Sequence, residues 1–299
     1  MKNHILSWVK AARPPAFVNV GLPLWVGQAT ALKELGVFEW QEFIFSNFLA
    51  VLIQLYIIFS NDFADRRADA ANKNRTPFSG GSGVIIEGKI KAEELRRASV
   101  FMLFALIFTN ISAAVHFDRF WILGFVCAGI FIFRMYSFPP FKLNYRGGGE
   151  YLQVFGCGMI LPMTGFYLQT NQMTLDSVMF FASYSLLQLC SAITTGIPDK
   201  KADEQIGKST IPVAFGEKRA VRLAICAGSI ALLLMLILHN DGAYFEPLTA
   251  FFVPFILLVC ADTLRTRITE SRRHCLIFCS FSLGAVAMNG IGLSIILFI

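Results

Sequence analysis

The stretch FIFSNFLAVLIQLYIIFSND, residues 43–62, decides the class of fold. Its first nineteen residues carry no charge, and Asp62 closes it. About 20 consecutive apolar residues is what a helix needs to cross a bilayer. The rest of the chain reads the same way: of 299 residues, 55% are hydrophobic and only 15% charged, with a mean hydropathy of +0.58. Soluble domains carry about 25% charged residues, and a chain this size needs more polar surface than that to stay in water. Thirty Phe residues add to the case. The expected fold is an all-α polytopic membrane protein.

Nine stretches have the length and character of spans: 15–33, 43–62, 98–116, 119–137, 151–169, 174–196, 220–238, 245–263 and 276–298. Residues 1–15 are polar and amphipathic, and the apolar stretch after them is long enough to stay in the membrane, so no signal peptide is expected. With nine spans, 24 of the 26 Lys and Arg residues fall on the side of the N-terminus, leaving Lys33 and Arg119 on the other. Cytoplasmic loops carry such an excess. The expectation is therefore a cell (inner) membrane protein with its N-terminus in the cytoplasm and its C-terminus outside. The net charge of +6 reports this orientation. No basic run interleaved with aromatic residues points to nucleic acid.

Cysteines 127, 157, 190, 226, 260, 275 and 279 lie nearly all in apolar stretches, where thiols behave as small hydrophobes. They predict neither a disulfide framework nor a thiolate metal site. His4, His116, His239 and His274 lie away from the acidic clusters described next, and Trp8, Trp25, Trp40 and Trp121 lie near span ends, as interfacial Trp does. Glu87 and Glu150 are read as solvated loop carboxylates.

The chemistry concentrates just after the second and sixth spans. Asn61, Asp65 and Asp69 are spaced i, i+4, i+8, which stacks them on one helix face. Asp199 and Asp203 repeat the i, i+4 step four spans later. Each cluster opens a long loop, 63–97 or 197–219, that becomes basic and Thr-Pro-containing, as in Arg75-Thr76-Pro77 and Lys208-Ser209-Thr210 with Pro212 following. The match suggests one domain over 1–299 built from two diverged halves, about 1–137 and 138–299, with a site between them.

A carboxylate at membrane depth costs roughly 2.5–3.5 kcal/mol, so five of them, Asp62 included, demand a reason. Mg²⁺ supplies one, because it takes one or two carboxylates together with substrate phosphate oxygens. Each cluster has the oxygen ligands for one ion, and two ions would clamp a diphosphate between the clusters. Loop Lys and Arg would neutralise the charge that remains.

At these residues the chain resembles the UbiA superfamily of membrane prenyltransferases, which carries Asn-x-x-x-Asp-x-x-x-Asp after helix two and Asp-x-x-x-Asp after helix six. The matching positions are Asn61, Asp65 and Asp69, then Asp199 and Asp203, with Asp62 at a place that is often acidic. Arg13-Pro14, the Gly-Lys-Ser-Thr run at 207–210 and Phe215-Gly216 extend the likeness over essentially the whole chain. The resemblance implies nine helices around a central cavity, capped on the cytoplasmic side by the two long loops. It also implies Mg²⁺-dependent transfer of an isoprenyl group from a prenyl diphosphate to a hydrophobic aromatic acceptor drawn from the lipid bilayer. Two ions are expected, with Mn²⁺ able to substitute. Metal ligands are expected at Asn61, Asp62, Asp65, Asp69, Asp199 and Asp203, with Asn61, Asp65 and Asp199 central to catalysis. Lys142, Arg75, Lys208 and Arg146 are the expected diphosphate contacts.

One departure is visible. Many members have Tyr-x-x-x-Lys after helix four, whereas Tyr136 and Lys142 here stand six apart. The run Tyr136-Ser137 with Pro139-Pro140, and Tyr145-Arg146-Gly147-Gly148-Gly149-Glu150, resembles the branch that prenylates 1,4-dihydroxy-2-naphthoate, although Asp69 stands where that branch often has Gly. The run Ser79-Gly80-Gly81-Ser82-Gly83 is a candidate for backbone contacts to phosphate, or simply a flexible loop. Two rival functions fit the same clusters: a membrane terpene cyclase acting on the diphosphate alone, and a cation-coupled transporter.

Overall fold

Pro14 and Pro15 divide the N-terminal region, because a proline offers no N–H to continue a helix. The amphipathic helix α1 (Lys2–Ala12) ends before them, and a single 3₁₀ turn, Pro14–Phe17, leads into α2 (Val18–Leu35). The computed structural model describes residues 2–71, 81–238 and 248–298. The apolar run quoted above forms the centre of α3 (Trp40–Ala71), a single helix of 32 residues. At 1.5 Å per residue it is about 48 Å long, against roughly 30 Å of hydrocarbon, so its acidic end overshoots the bilayer core.

The chain continues through α4 (Ala92–His116), α5 (Trp121–Ser137) and the single turn α6 (Leu143–Arg146). Then α7 (Gly149–Phe155) runs through a π turn, Gly156–Ile160, into α8 (Leu161–Thr170). The second half comprises α9 (Leu175–Gly196), the short α10 (Lys200–Gln205) and α11 (Ile211–Phe215), then α12 (Glu217–Leu238), α13 (Val253–Thr263) and α14 (Arg272–Ser294). Every regular element among the described residues is helical. Among the described residues, six segments are long and apolar enough to cross a membrane: Trp40–Ala70, Ala92–His116, Gly149–Thr170, Leu175–Gly196, Glu217–Leu238 and Arg272–Phe298. The other three predicted spans fall on α2, α5 and the segment ending in α13.

Large apolar side chains stand on the outside of the bundle. On α4, Phe101, Phe104 and Phe108 form an i, i+3, i+7 stripe that is 67%, 66% and 73% exposed, an arrangement suited to lipid rather than water. Inside, small residues let backbones touch: a Cβ on Gly27 of α2 would lie 1.9 Å from the Pro162 carbonyl oxygen, and one on Gly165 of α8 would lie 2.2 Å from that of Leu24. Polar side chains bind the same helices together. Gln28 donates to Ser46 Oγ at 2.8 Å, and Gln169 donates to Gln28 Oε1 at 2.9 Å. Close approach and interhelical hydrogen bonds are the usual adhesives between helices in lipid, where apolar contact alone gives little preference.

Candidate active site

The end of α3 presents Asn61, Asp65 and Asp69 along one face, as their spacing predicts. The second cluster is built differently from a simple helix end. Pro198 has no N–H with which to continue the helical hydrogen bonds, and α9 stops at Gly196 before the chain restarts as α10. Asp199 sits at the N-terminal boundary of α10 and Asp203 one turn in, with the Asp203 N–H bonded to the Asp199 carbonyl at 2.8 Å. Asn61, Asp65, Asp69, Asp199 and Asp203 all line one polar chamber of about 210 Å³. The two motifs, more than a hundred residues apart, face a common space.

Neighbouring side chains set the orientation of this face. Ser137, the last residue of α5, donates to Asn61 Oδ1 at 3.2 Å, and the Tyr145 hydroxyl donates to Asp65 Oδ1 at 3.1 Å. Burial of Tyr145, then the charge of Asp65 and that bond, hold the phenol well above its ordinary pKa, so it remains a donor. The amide of Ser209 bonds the Tyr145 carbonyl at 2.8 Å, joining the loop after α10 to α6. Burial pushes the Asp203 carboxyl up to about 6; Lys208 opposes that rise, and Asp199 and Asp65 add to it. The Lys208 ammonium lies 3.5 Å from Asp203 and 4.8 Å from the centre of the Tyr145 ring.

Other predicted residues lie elsewhere. Asp62 is buried and does not line the chamber; its carboxylate accepts from the amide and hydroxyl of Ser82. It thereby holds Ser82, next to Gly81 on the chamber wall. Gly81, at φ +64°, packs against the Asp69 carboxylate, where a Cβ would come within 2.3 Å of Oδ2. Lys142 stacks its ammonium 3.6 Å from the centre of the Tyr145 ring, and Arg146 is exposed; neither lines the chamber. Arg75, Ser79 and Gly80 lie outside the described residues, as does His239. Glu150, expected to be solvated, is instead buried in the chamber wall, and its carboxylate accepts the Ile211 N–H at 2.6 Å. Glu87 is the loop carboxylate it was read as: Lys10 and Lys89 pair with it and hold its pKa down at about 2.

A second, larger chamber of about 380 Å³ adjoins the first. Its wall is mostly hydrocarbon and aromatic, with Ile53, Tyr56, Leu106, Phe125, Phe133 and Ile160 among the lining side chains. Arg13, Asn61, Tyr136, Gln153 and Thr195 border both chambers. The joined space therefore has a charged head and an apolar body.

The chain matches the UbiA prenyltransferase family over residues 20–282. It belongs to that family. Among curated relatives, the 2-carboxy-1,4-naphthoquinone phytyltransferase of Synechocystis sp. is 27% identical over 190 residues, covering 62% of this chain and 59% of the relative. The 4-hydroxybenzoate octaprenyltransferase of Neisseria gonorrhoeae is 28% identical over 204 residues, covering 67% and 62%. The aligned region thus spans about three fifths of these relatives. Among solved structures, a UbiA homolog from Archaeoglobus fulgidus bound to GPP and Mg²⁺ superposes with a TM-score of 0.65 at 16% identity, covering 96% of this chain and 99% of that one. The apo UbiA homolog from Aeropyrum pernix K1 gives 0.69 at 14% identity, covering 94% and 98%. At these identities the likeness establishes the fold.

The donor set of the polar chamber suits Mg²⁺. It is all oxygen, and the buried Asn144 Oδ1 and Thr210 Oγ1 on its wall have no hydrogen-bond partner among the described residues. No three acidic, His or Cys side chains among the described residues converge into a ready-made cage.

Proposed function

We propose that this protein transfers an isoprenyl group from a prenyl diphosphate to a lipid-soluble aromatic acceptor of the quinone-precursor type, with Mg²⁺ as cofactor. The observation that carries the reading is the union of an acidic chamber and an apolar chamber through five shared residues. A prenyl diphosphate is an amphiphile of the same shape, with a charged head and a hydrocarbon body.

In this reading Asn61, Asp65 and Asp69 would hold one ion and Asp199 and Asp203 the other. Bound there, Mg²⁺ supplies Lewis-acid stabilisation of charge developing on the diphosphate. Lys208 adds positive charge inside the chamber, while Lys142 and Arg146 contribute from outside its wall. Tyr145 and Ser137 keep Asp65 and Asn61 in position. The prenyl C–O bond breaks and its electron pair departs with the diphosphate. The allylic cation is left in the apolar chamber, where Tyr56, Phe125 and Phe133 exclude water and offer ring faces to the cation. A ring carbon of the acceptor then forms the new C–C bond and releases a proton.

The same reading places nine spans in the cell membrane, with the N-terminus and the two long loops on the cytoplasmic side. The supporting feature is the 24 to 2 division of Lys and Arg. The acidic chamber then opens where water-soluble Mg²⁺ is available.

The test uses purified protein, geranyl diphosphate and two acceptors, 4-hydroxybenzoate and 1,4-dihydroxy-2-naphthoate, with products read by mass spectrometry. A prenylated acceptor is expected with Mg²⁺ or Mn²⁺. EDTA should lower the rate by about 100-fold or more, since a charge-stabilising metal supplies several kcal/mol. Full turnover in the chelated sample would overturn the metal assignment. A cyclised hydrocarbon from the diphosphate alone would replace transfer by cyclisation.

A further inference from the structure

Gln54 lies in the middle of the apolar run of α3, between Ile53 and Leu55, and lines the larger chamber. It is only 5% exposed. Its side-chain nitrogen is the one buried side-chain nitrogen among the described residues without a hydrogen-bond partner. Other buried amides behave differently. The nitrogens of Gln28, Asn110, Gln169 and Asn289 donate to Ser46, Leu106, Gln28 and Ala250 respectively. A buried polar group without a partner is costly, and a native structure that keeps one has a reason for it.

We infer that Gln54 is a specificity residue for the acceptor, donating a hydrogen bond to a ring oxygen of the aromatic substrate inside the apolar chamber. This rests on the prenyl-transfer reading and deepens it. An isoprenoid chain is hydrocarbon and offers the amide nothing, and the diphosphate oxygens belong to the acidic chamber. The remaining oxygen-bearing molecule in the reaction is the acceptor. Position agrees with chemistry. Gln54 precedes Asn61 by seven residues, two helical turns on the same face, or about 10 Å along the axis. An aromatic ring bonded to Gln54 lies between the amide and the diphosphate head, where the reacting carbon of the prenyl group emerges.

The variant Gln54→Leu keeps the volume and removes the donor, and Gln54→Met provides a second apolar side chain of equal length. With geranyl diphosphate and 1,4-dihydroxy-2-naphthoate, both variants are expected to raise the acceptor KM by ~10- to 100-fold, the range set by a lost hydrogen bond in a buried site. The KM for geranyl diphosphate should stay within about 2-fold, and the melting temperature should hold or rise, because an unpaired polar group has been removed. A merely structural glutamine would instead lower the melting temperature and leave the acceptor KM unchanged. If the unaltered protein transfers and the variants keep its acceptor KM, the inference fails alone. A rise confined to the geranyl diphosphate KM also overturns it, placing Gln54 on the donor's chain. Absence of transfer by the unaltered protein overturns the function and the inference together.

Discussion

Asp65→Ala and Asp199→Ala are each expected to cut prenyl transfer by about 100-fold or more while leaving the purified protein monodisperse and helical. Each substitution removes one charge from an acidic face that lines the shared chamber. Loss of a single preorganised electrostatic partner typically costs ~10²–10³ in rate. The fold should survive, because a carboxylate crowded by like charges gains little from its position. Asp203, its neighbour across the chamber, illustrates this: its carboxyl is pushed up to about 6, by burial first, with Asp199 and Asp65 adding to the effect. Circular dichroism and size-exclusion chromatography check the fold, and product formation checks the chemistry. Near-normal turnover in either well-folded variant would remove the two-face clamp from the mechanism.

The second large effect is on stability. Gly165→Ala forces a methyl group to within 2.2 Å of the Leu24 carbonyl oxygen, and Gly27→Ala forces one to within 1.9 Å of that of Pro162. These are backbone atoms, so relief requires α2 and α8 to separate, and the Gln28–Gln169 bond between them to lengthen. Overpacking of this kind costs up to about 3 kcal/mol, equivalent to a fall of roughly 6–12 °C in melting temperature for a chain of this size. Gly124→Ala is the matched control. Its nearest neighbour is Trp121 Cε3 at 3.6 Å, so the methyl group fits. In a helix interior alanine is favoured over glycine by about 1 kcal/mol. A thermal melt in detergent that fails to separate Gly165→Ala from Gly124→Ala would show that the α2–α8 contact does not limit stability.

The parts of the fold legible in the sequence were those that depend on local patterning. The run 43–62 predicts a span and forms the centre of α3, and the i, i+4, i+8 step does place Asn61, Asp65 and Asp69 on one wall. The meeting of this wall with Asp199 and Asp203 was legible because both clusters recur at matched places in the chain. What escaped was set by tertiary partners. Asp62 has the same chemistry as Asp65 but does not line the chamber and holds Ser82. Tyr145 and Ser137, which orient Asp65 and Asn61, come from loop and helix-end positions with no periodic signal. Glu150 reads as a loop carboxylate because nothing local reveals that the distant Ile211 amide will bond to it. Gln54 is invisible for the opposite reason: in an apolar run a lone amide reads as filler, and its unmet nitrogen appears only in the packed structure.

The central claim is that the acidic chamber and the apolar chamber together hold one prenyl diphosphate. The most direct measurement is an experimental structure of the protein with Mg²⁺ and geranyl S-thiolodiphosphate, an analogue that resists cleavage. The account predicts diphosphate density between the Asp65–Asp69 face and the Asp199–Asp203 face, with the geranyl chain passing Tyr136 and Gln153 into the apolar chamber. Density for the diphosphate outside the two acidic faces, or a chain directed away from that chamber, would contradict it.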